Sequence, residues 1–275
     1  MEIYELYRLL ELPAEIIEKL DYVSEKTDIA KTGLYIEQMT HMETAAKAYK
    51  YLKALFKEDE DNIKMLYCQL EGARQAYDKY EEKHIPRDIY ISTMKCFTRF
   101  LNECKETNGR MFFDRGWWTY RQVSMSIFRI GELEYEFNEY EGENTVSIHI
   151  PSDADLSKDA VDYSLKSADK FFKEYYDGYK YKKYICFSWL LSPQLKPLLS
   201  ESSNIKAFQE RFDIIRENKE DKEYIEWLFQ APVNTDYIKL PEKTSLQRRV
   251  KELLLNGGAV GMAYGIMKDY NNCLQ

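Results

Sequence analysis

The chain has 275 residues, 44% apolar and 31% charged, the balance of an ordinary globular protein with one large domain or two smaller ones. Its net charge of −8 argues against a dedicated nucleic-acid binder, which would carry a basic face. The longest apolar run, YICFSWLL at 184–191, is too short to cross a bilayer as a helix. Met1 leads straight into the amphipathic IYELYRLLEL, so no secretory leader is read and the cytoplasm is the expected compartment. Cys68, Cys96, Cys104, Cys186 and Cys273 are odd in number and lack C-x-x-C spacing, and the three histidines form no H-E-x-x-H motif. Neither a disulfide framework nor a built-in metal is expected.

The first stretch reads as helices. Ile3, Leu6, Tyr7 and Leu10 fall on one helical face, and Pro13 suits the first turn of a second helix containing Ile16, Ile17 and Leu20. A third spans 41–56, with Ala45, Tyr49, Leu52 and Phe56 in one stripe, and KEDEDN at 57–62 breaks it. A fourth carries Ile63, Leu66, Leu70, Ala73 and Tyr77. A fifth opens at Pro86 and stops at Asn108-Gly109. A helical domain is expected over 1–112.

The pattern changes over 113–275. SMSIFRI (124–130), GELEYEF (131–137) and TVSIHI (145–150) alternate with period two, and the EGEN turn at 141–144 joins the last two as a hairpin. A helix with Val161, Leu165, Ala168 and Phe172 follows, then a strand in YKYKKYICFSWLL. FQERFDII and EYIEWLF read as strands, and SLQRRVKELLLNGG as a helix ended by Gly257-Gly258. The order is helices, then β-β-β-α-β-α-β-β-α.

Three antiparallel strands, a helix and a further strand is the order of the GNAT N-acyltransferase fold. FRIGELEYEF, HIPSDADLS, SWLLSPQL and SNIKAFQERF, with Trp117-Trp118, resemble bacterial proteins that join a helical N-acyltransferase-type domain to a GNAT-like C-terminal domain. That resemblance implies an α+β fold, a helical region packed on a twisted, mainly antiparallel sheet flanked by helices. It also implies acyl-CoA as co-substrate and a small-molecule amine as acceptor. The chain departs from the family where a glycine-rich loop would hold the CoA pyrophosphate: PSDADLSKD has no glycine and carries Asp153, Asp155 and Asp159. Two like charges about 4 Å apart cost about 1 kcal/mol in water and about 4 at an effective dielectric of about 20. Helix-start chemistry, with Ser157 as N-cap and Asp159 in the first turn, is the competing reading of this turn.

Alternation puts His149 on the polar face of its strand with Thr145 and Ser147, where it suits a general base; a ring capping a loop carbonyl is the alternative. In the next strand Tyr184, Cys186, Ser188 and Leu190 share a face; Ser188, or Asn204 after the short helix, could donate to the thioester. Cys186 reads as a small buried hydrophobe. Ile150, Ser152, Ser157 and Lys158 are the expected cofactor contacts. Trp117, Trp118, Tyr120 and Arg129 are expected to bind substrate, with interlayer packing, or a cross-strand partner such as Glu134 for Arg129, as the alternatives. Glu132, Glu134 and Glu136 read as a solvated strand face. The function expected is acyl transfer from acyl-CoA to an amine. The alternative is a catalytically silent GNAT-like module that binds a small ligand or a protein partner.

Overall fold

Apolar spacing sets the helices of the first 123 residues: α1 (Ile3–Leu9), α2 (Ala14–Lys26), α3 (Ile29–Met39), α4 (Met42–Leu55), α5 (Ile63–Glu82), α6 (Arg87–Met94), α7 (Cys96–Asn108) and α8 (Gly116–Val123). The computed structural model describes residues 1–26 and 29–268; Cys273 lies outside them. The chain divides into two compact units, Met1–Arg129 and Ile130–Gln275.

In the first unit α5 is the axis, touching α1, α2, α3, α6 and α8. It buries Ile63, Leu66, Leu70 and Ala73 on the stripe expected of it, although Tyr77 lies only half-buried at its edge. The acidic break before it is a cap: the Asp59 carboxylate accepts the backbone N–H groups of Lys64 and Met65 at 2.9 and 3.0 Å. Buried Gln69 ties α5 to α8, its Nε2 donating to the Gly116 carbonyl at 2.8 Å while its Oε1 accepts the Thr119 hydroxyl. Three helices were not foreseen. α3 escaped because Gly33 and Thr32 dilute its pattern. The stretch from Pro86 to Asn108 turns at Lys95 into α6 and α7. The Trp117 segment is α8.

The second part of the chain forms β1 (Ile127–Ile130), β2 (Leu133–Tyr140), β3 (Glu143–His149), α9 (Lys158–Tyr175), β4 (Lys183–Ser188), α10 (Asn204–Gln209), β5 (Phe212–Asn218), α11 (Tyr224–Phe229), α12 (Ser245–Leu255) and β6 (Met262–Met267). The six strands lie in the order β1-β2-β3-β4-β6-β5, antiparallel at β2–β3, β4–β6 and β5–β6 and parallel at β3–β4. The fold class is the expected α+β.

Three strand expectations are corrected. EYIEWLF is the helix α11, because Tyr224, Ile225 and Phe229 bury one helical stripe in a small core with Leu195, Leu240, Val250 and Leu254. FQERFDII begins as the end of α10, and β5 starts at Phe212. The last strand, β6, went unread although it lies between β4 and β5.

α9 packs its apolar stripe on β2, with Phe172 edge-on to Phe137 at 5.3 Å. Ser164 of α9 is a buried junction for the turn between β1 and β2. Its hydroxyl donates to the Ile130 carbonyl and accepts the Leu133 N–H at 3.2 Å, and the Tyr135 hydroxyl lies 2.9 Å away. Gly131 turns there with φ 63°, and a Cβ would stand 3.0 Å from that of Ser164. Ser164→Ala strands a buried N–H and a buried hydroxyl, so about 1–3 kcal/mol of stability is expected to go. Urea unfolding should show a lower midpoint at an unchanged slope.

Candidate functional site

The pairing of β3 with β4 runs from Thr145↔Lys183 to Ile148↔Cys186 and goes no further. β3 continues one residue to His149, still paired with Glu134 of β2, while β4 continues to Ser188, paired with Ala263 of β6. The two strands part at that point. Backbone of His149 and Ile150 borders one side of the opening and backbone of Phe187 and Ser188 the other. Unpaired strand edges offer N–H and C=O groups to an extended ligand arm.

The register also sorts the side chains. Ser147↔Ile185 and Phe187↔Tyr264 put His149, Ser147, Phe187 and Tyr264 on one face, here the front. Ile148↔Cys186 puts Cys186 and Ser188 on the other, with Tyr184. His149 and Ser188 therefore flank one opening from opposite faces and do not meet. Ser188 Oγ accepts the Leu190 N–H at 3.1 Å and caps the 3-10 turn Trp189–Leu191, so Leu190 does not continue the strand face. Cys186 is fully buried, and burial pushes its thiol well above the ordinary range, which fits the small hydrophobe read from its sequence.

His149 is bonded through Nε2 to Glu136 Oε2 at 2.8 Å, with the two side chains 22% and 14% exposed. The expected solvated row of glutamates is corrected by this contact and its neighbours. Glu134 is 2% exposed directly opposite His149, and Glu132 accepts the Asp155 N–H at 2.9 Å. Alternation tells which face a residue occupies but not what covers that face. Glu136 was still findable, since the tight turn at Glu141-Gly142 sets the hairpin register that places it beside His149.

Below the opening the chain turns through Pro151 to α9. Ser157 stands at the N-cap, yet its hydroxyl does not cap the helix: it donates to Asp155 Oδ2 at 2.9 Å, and its N–H donates to Asp155 Oδ1 at 2.8 Å. The first turn of α9, at Lys158, Asp159 and Ala160, thus takes no cap from the Ser157 side chain and carries the positive dipole end of the helix. Arg211 supplies fixed positive charge nearby, 2.6 Å from Asp162, whereas Lys158 is 78% exposed. Half-buried Ile150 follows β3 directly; Ser152 is exposed. Asn204 opens α10, exposed, and α10 packs against α9.

The remaining candidates lie in the first unit. Trp117, Trp118 and Tyr120 sit on α8. Trp118 lies edge-on to Trp117, and Tyr120 stacks on Tyr49 at 5.4 Å. Trp117 also lines a cleft of about 90 Å³ with Tyr49, Lys53 and Asp114. Arg129 lies in β1, its backbone N–H donating to Thr93 Oγ1 at 3.0 Å. Among the described residues no cluster of three metal-ligating side chains occurs, and no helix is long and apolar enough to cross a membrane.

Residues 127–267 match the family model of the GNAT-like C-terminal domain and residues 1–125 that of the N-acyltransferase N-terminal domain. The chain belongs to this GNAT-like acyltransferase family. Among curated proteins none matches it. A solved acyltransferase in complex with decanoyl-CoA and teicoplanin is similar at TM-score 0.81 and 21% identity, over 97% of this chain and 87% of that one. An acyltransferase in complex with decanoyl-CoA gives 0.78 and 19%, over 96% and 86%. One in complex with CoA and 10C-teicoplanin gives 0.79 and 20%, over 97% and 87%. The fold is therefore that of an acyltransferase.

Two bonds from Ser157, first from its backbone N–H and then from its hydroxyl, hold the Asp155 carboxyl below the ordinary carboxylate range. A depressed folded value stabilises the turn at pH above the ordinary range, and the contribution disappears as pH falls through the folded value. Ser157→Ala should move the Asp155 titration up toward the ordinary range. Carbon-detected NMR of the carboxyl reads that shift, and amide exchange at the start of α9 should quicken at a higher pH than in wild type.

Proposed function

We propose that the protein transfers an acyl group from an acyl-CoA thioester to the amine of a small-molecule acceptor, with His149 as base. One observation carries the reading: β3 and β4 part beside a histidine that is already bonded to a carboxylate. The likeness to acyltransferases crystallised with decanoyl-CoA, CoA and a glycopeptide supports it.

On this reading the pantetheine arm pairs with the backbone of the opening, at Ile150 on one side and Ser188 on the other. The phosphates lie toward the first turn of α9, near Ser152, Ser157, Lys158 and Arg211. The acceptor nitrogen attacks the thioester carbonyl carbon from the front face, forming the C–N bond as the C–S bond breaks. The proton lost by nitrogen passes to His149, whose imidazolium Glu136 stabilises. On the far face the sulfur departs as a thiolate, protonated by solvent once released; Ser188 is the assigned hydrogen-bond donor to it, because accepting from Leu190 leaves its own O–H available. Asn204 remains a candidate donor from α10.

A silent binding module is the second reading, favoured by the exposed Asp153 and Asp155 beside the helix start. Calorimetric titration with acetyl-CoA, decanoyl-CoA and free CoA separates the two. Acyl transfer expects micromolar binding by wild type and near-equal affinity in His149→Ala. Turnover of an amine should fall roughly 10²–10⁴-fold in that variant. Glu136→Gln should lose about tenfold, because the ring stays but its counter-charge goes. Absence of both heat and thermal shift would remove CoA and leave the binding module. Unchanged turnover in His149→Ala would remove the base.

A further inference from the structure

Phe187 is 46% exposed although it sits on an inner strand, with β3 on one side and β6 on the other. A ring at such a position ordinarily packs under another element. It is the first β4 residue past the last β3–β4 pair, on the front face, level with His149 across the opening. The exposed ring thus borders the opening on the same face as His149.

The ring is braced. Tyr264, its β6 partner, lies 6.3 Å away at a tilt of 38°. Tyr264 in turn stacks on Tyr140 at 5.4 Å, and the Arg216 guanidinium sits 5.5 Å over it. Tyr140 belongs to the tip of the β2–β3 hairpin, three strand positions from β6, so that stack requires the sheet to coil and bring the tip across its front. Tyr264 is thus engaged by a ring and a cation, while about half of Phe187 stays open. On the same face the Glu136 carboxylate, 14% exposed, is bonded to His149 and adds negative charge beside it.

We propose that Phe187, braced by Tyr264, is a platform for an aromatic ring of the acceptor, which is therefore an amine with a ring a bond or two from its nitrogen. The assignment of this face to the acceptor rests on the acyl-transfer reading. An aliphatic amine of equal size buries the same area there but forgoes offset stacking, a difference of roughly two- to tenfold in affinity.

Titration of the full chain with benzylamine and with cyclohexylmethylamine, followed by calorimetry and ligand-observed NMR, tests the platform. Benzylamine is expected to bind wild type several-fold more tightly, the preference to vanish in Phe187→Leu and to survive in Phe187→Tyr. Equal affinities in wild type, no binding of benzylamine, or a preference that persists in Phe187→Leu would overturn it. A ring preference without acyl transfer to benzylamine leaves the platform standing and sinks the transfer reading. Transfer without a ring preference does the reverse.

Discussion

Backbone hydrogen bonding between β3 and β4 has to be stopped after Ile148 and Cys186, since a parallel ladder left to itself would continue. The stop is enforced from both sides. Pro151 lacks an N–H and follows Ile150 directly, so β3 cannot extend its ladder there. On the other side, two serines divert β4. Ser188 accepts the Leu190 N–H, and Ser192 donates to the Val260 carbonyl at 2.6 Å, fixing a 3-10 turn that rests on β6. The fit there is close: a Cβ on Gly265 would lie 2.9 Å from Leu191 Cδ1. β3 stays with β2 to its last residue and β4 with β6, so the sheet separates into halves joined by four parallel pairs.

That separation decides what chemistry the residues can share. Side chains alternate strictly along each strand, so one step beyond the last pair sends His149 forward and the next residue of β4 but one, Ser188, backward. The register keeps the two side chains from contacting each other. On the acyl-transfer reading, the nucleophile approaches on the His149 face and the leaving group departs on the Ser188 face. The carboxylate at 2.8 Å gives the imidazole a fixed orientation, with Nε2 committed to Glu136.

Much of this was legible because the front and back faces of the hairpin alternate so plainly. His149 was placed on the polar face from TVSIHI alone, and the α9 stripe from Val161 to Phe172 follows a helical period. What escaped was set by distant parts of the chain. MAYGIM, the inner strand β6, mixes a glycine and an alanine with apolar residues and shows no alternation in sequence, since Tyr264 and Ile266 on its half-buried face are apolar too. EYIEWLF is too short for period two and period 3.6 to be told apart, and its burial by α12 and the 193–198 turn settled the matter. Glu134 and Glu136 looked solvated because composition carries no record of what packs over a face. Ser157 looked like a cap because the rule names residue types, and here Asp155 two residues earlier offered its hydroxyl a stronger acceptor.

The acidic turn is the place where family pattern and chain diverge, and geometry limits the size of that divergence. Asp155 is hydrogen-bonded by Ser157 yet open to solvent, so water screens its repulsion of a phosphate. The helix dipole at the first turn of α9 opposes that repulsion, but Arg211 is paired with Asp162 at 2.6 Å and adds no net charge. Asp153, Asp155, Asp159 and Asp162 outnumber Lys158 and Arg211, so the turn stays acidic. The missing glycines act in the same direction, because no substituted residue lets the backbone close on a pyrophosphate as glycine does. On the acyl-transfer reading, the donor is then gripped chiefly by the unpaired edges of β3 and β4, and the pyrophosphate is held more loosely than a glycine-rich loop would hold it.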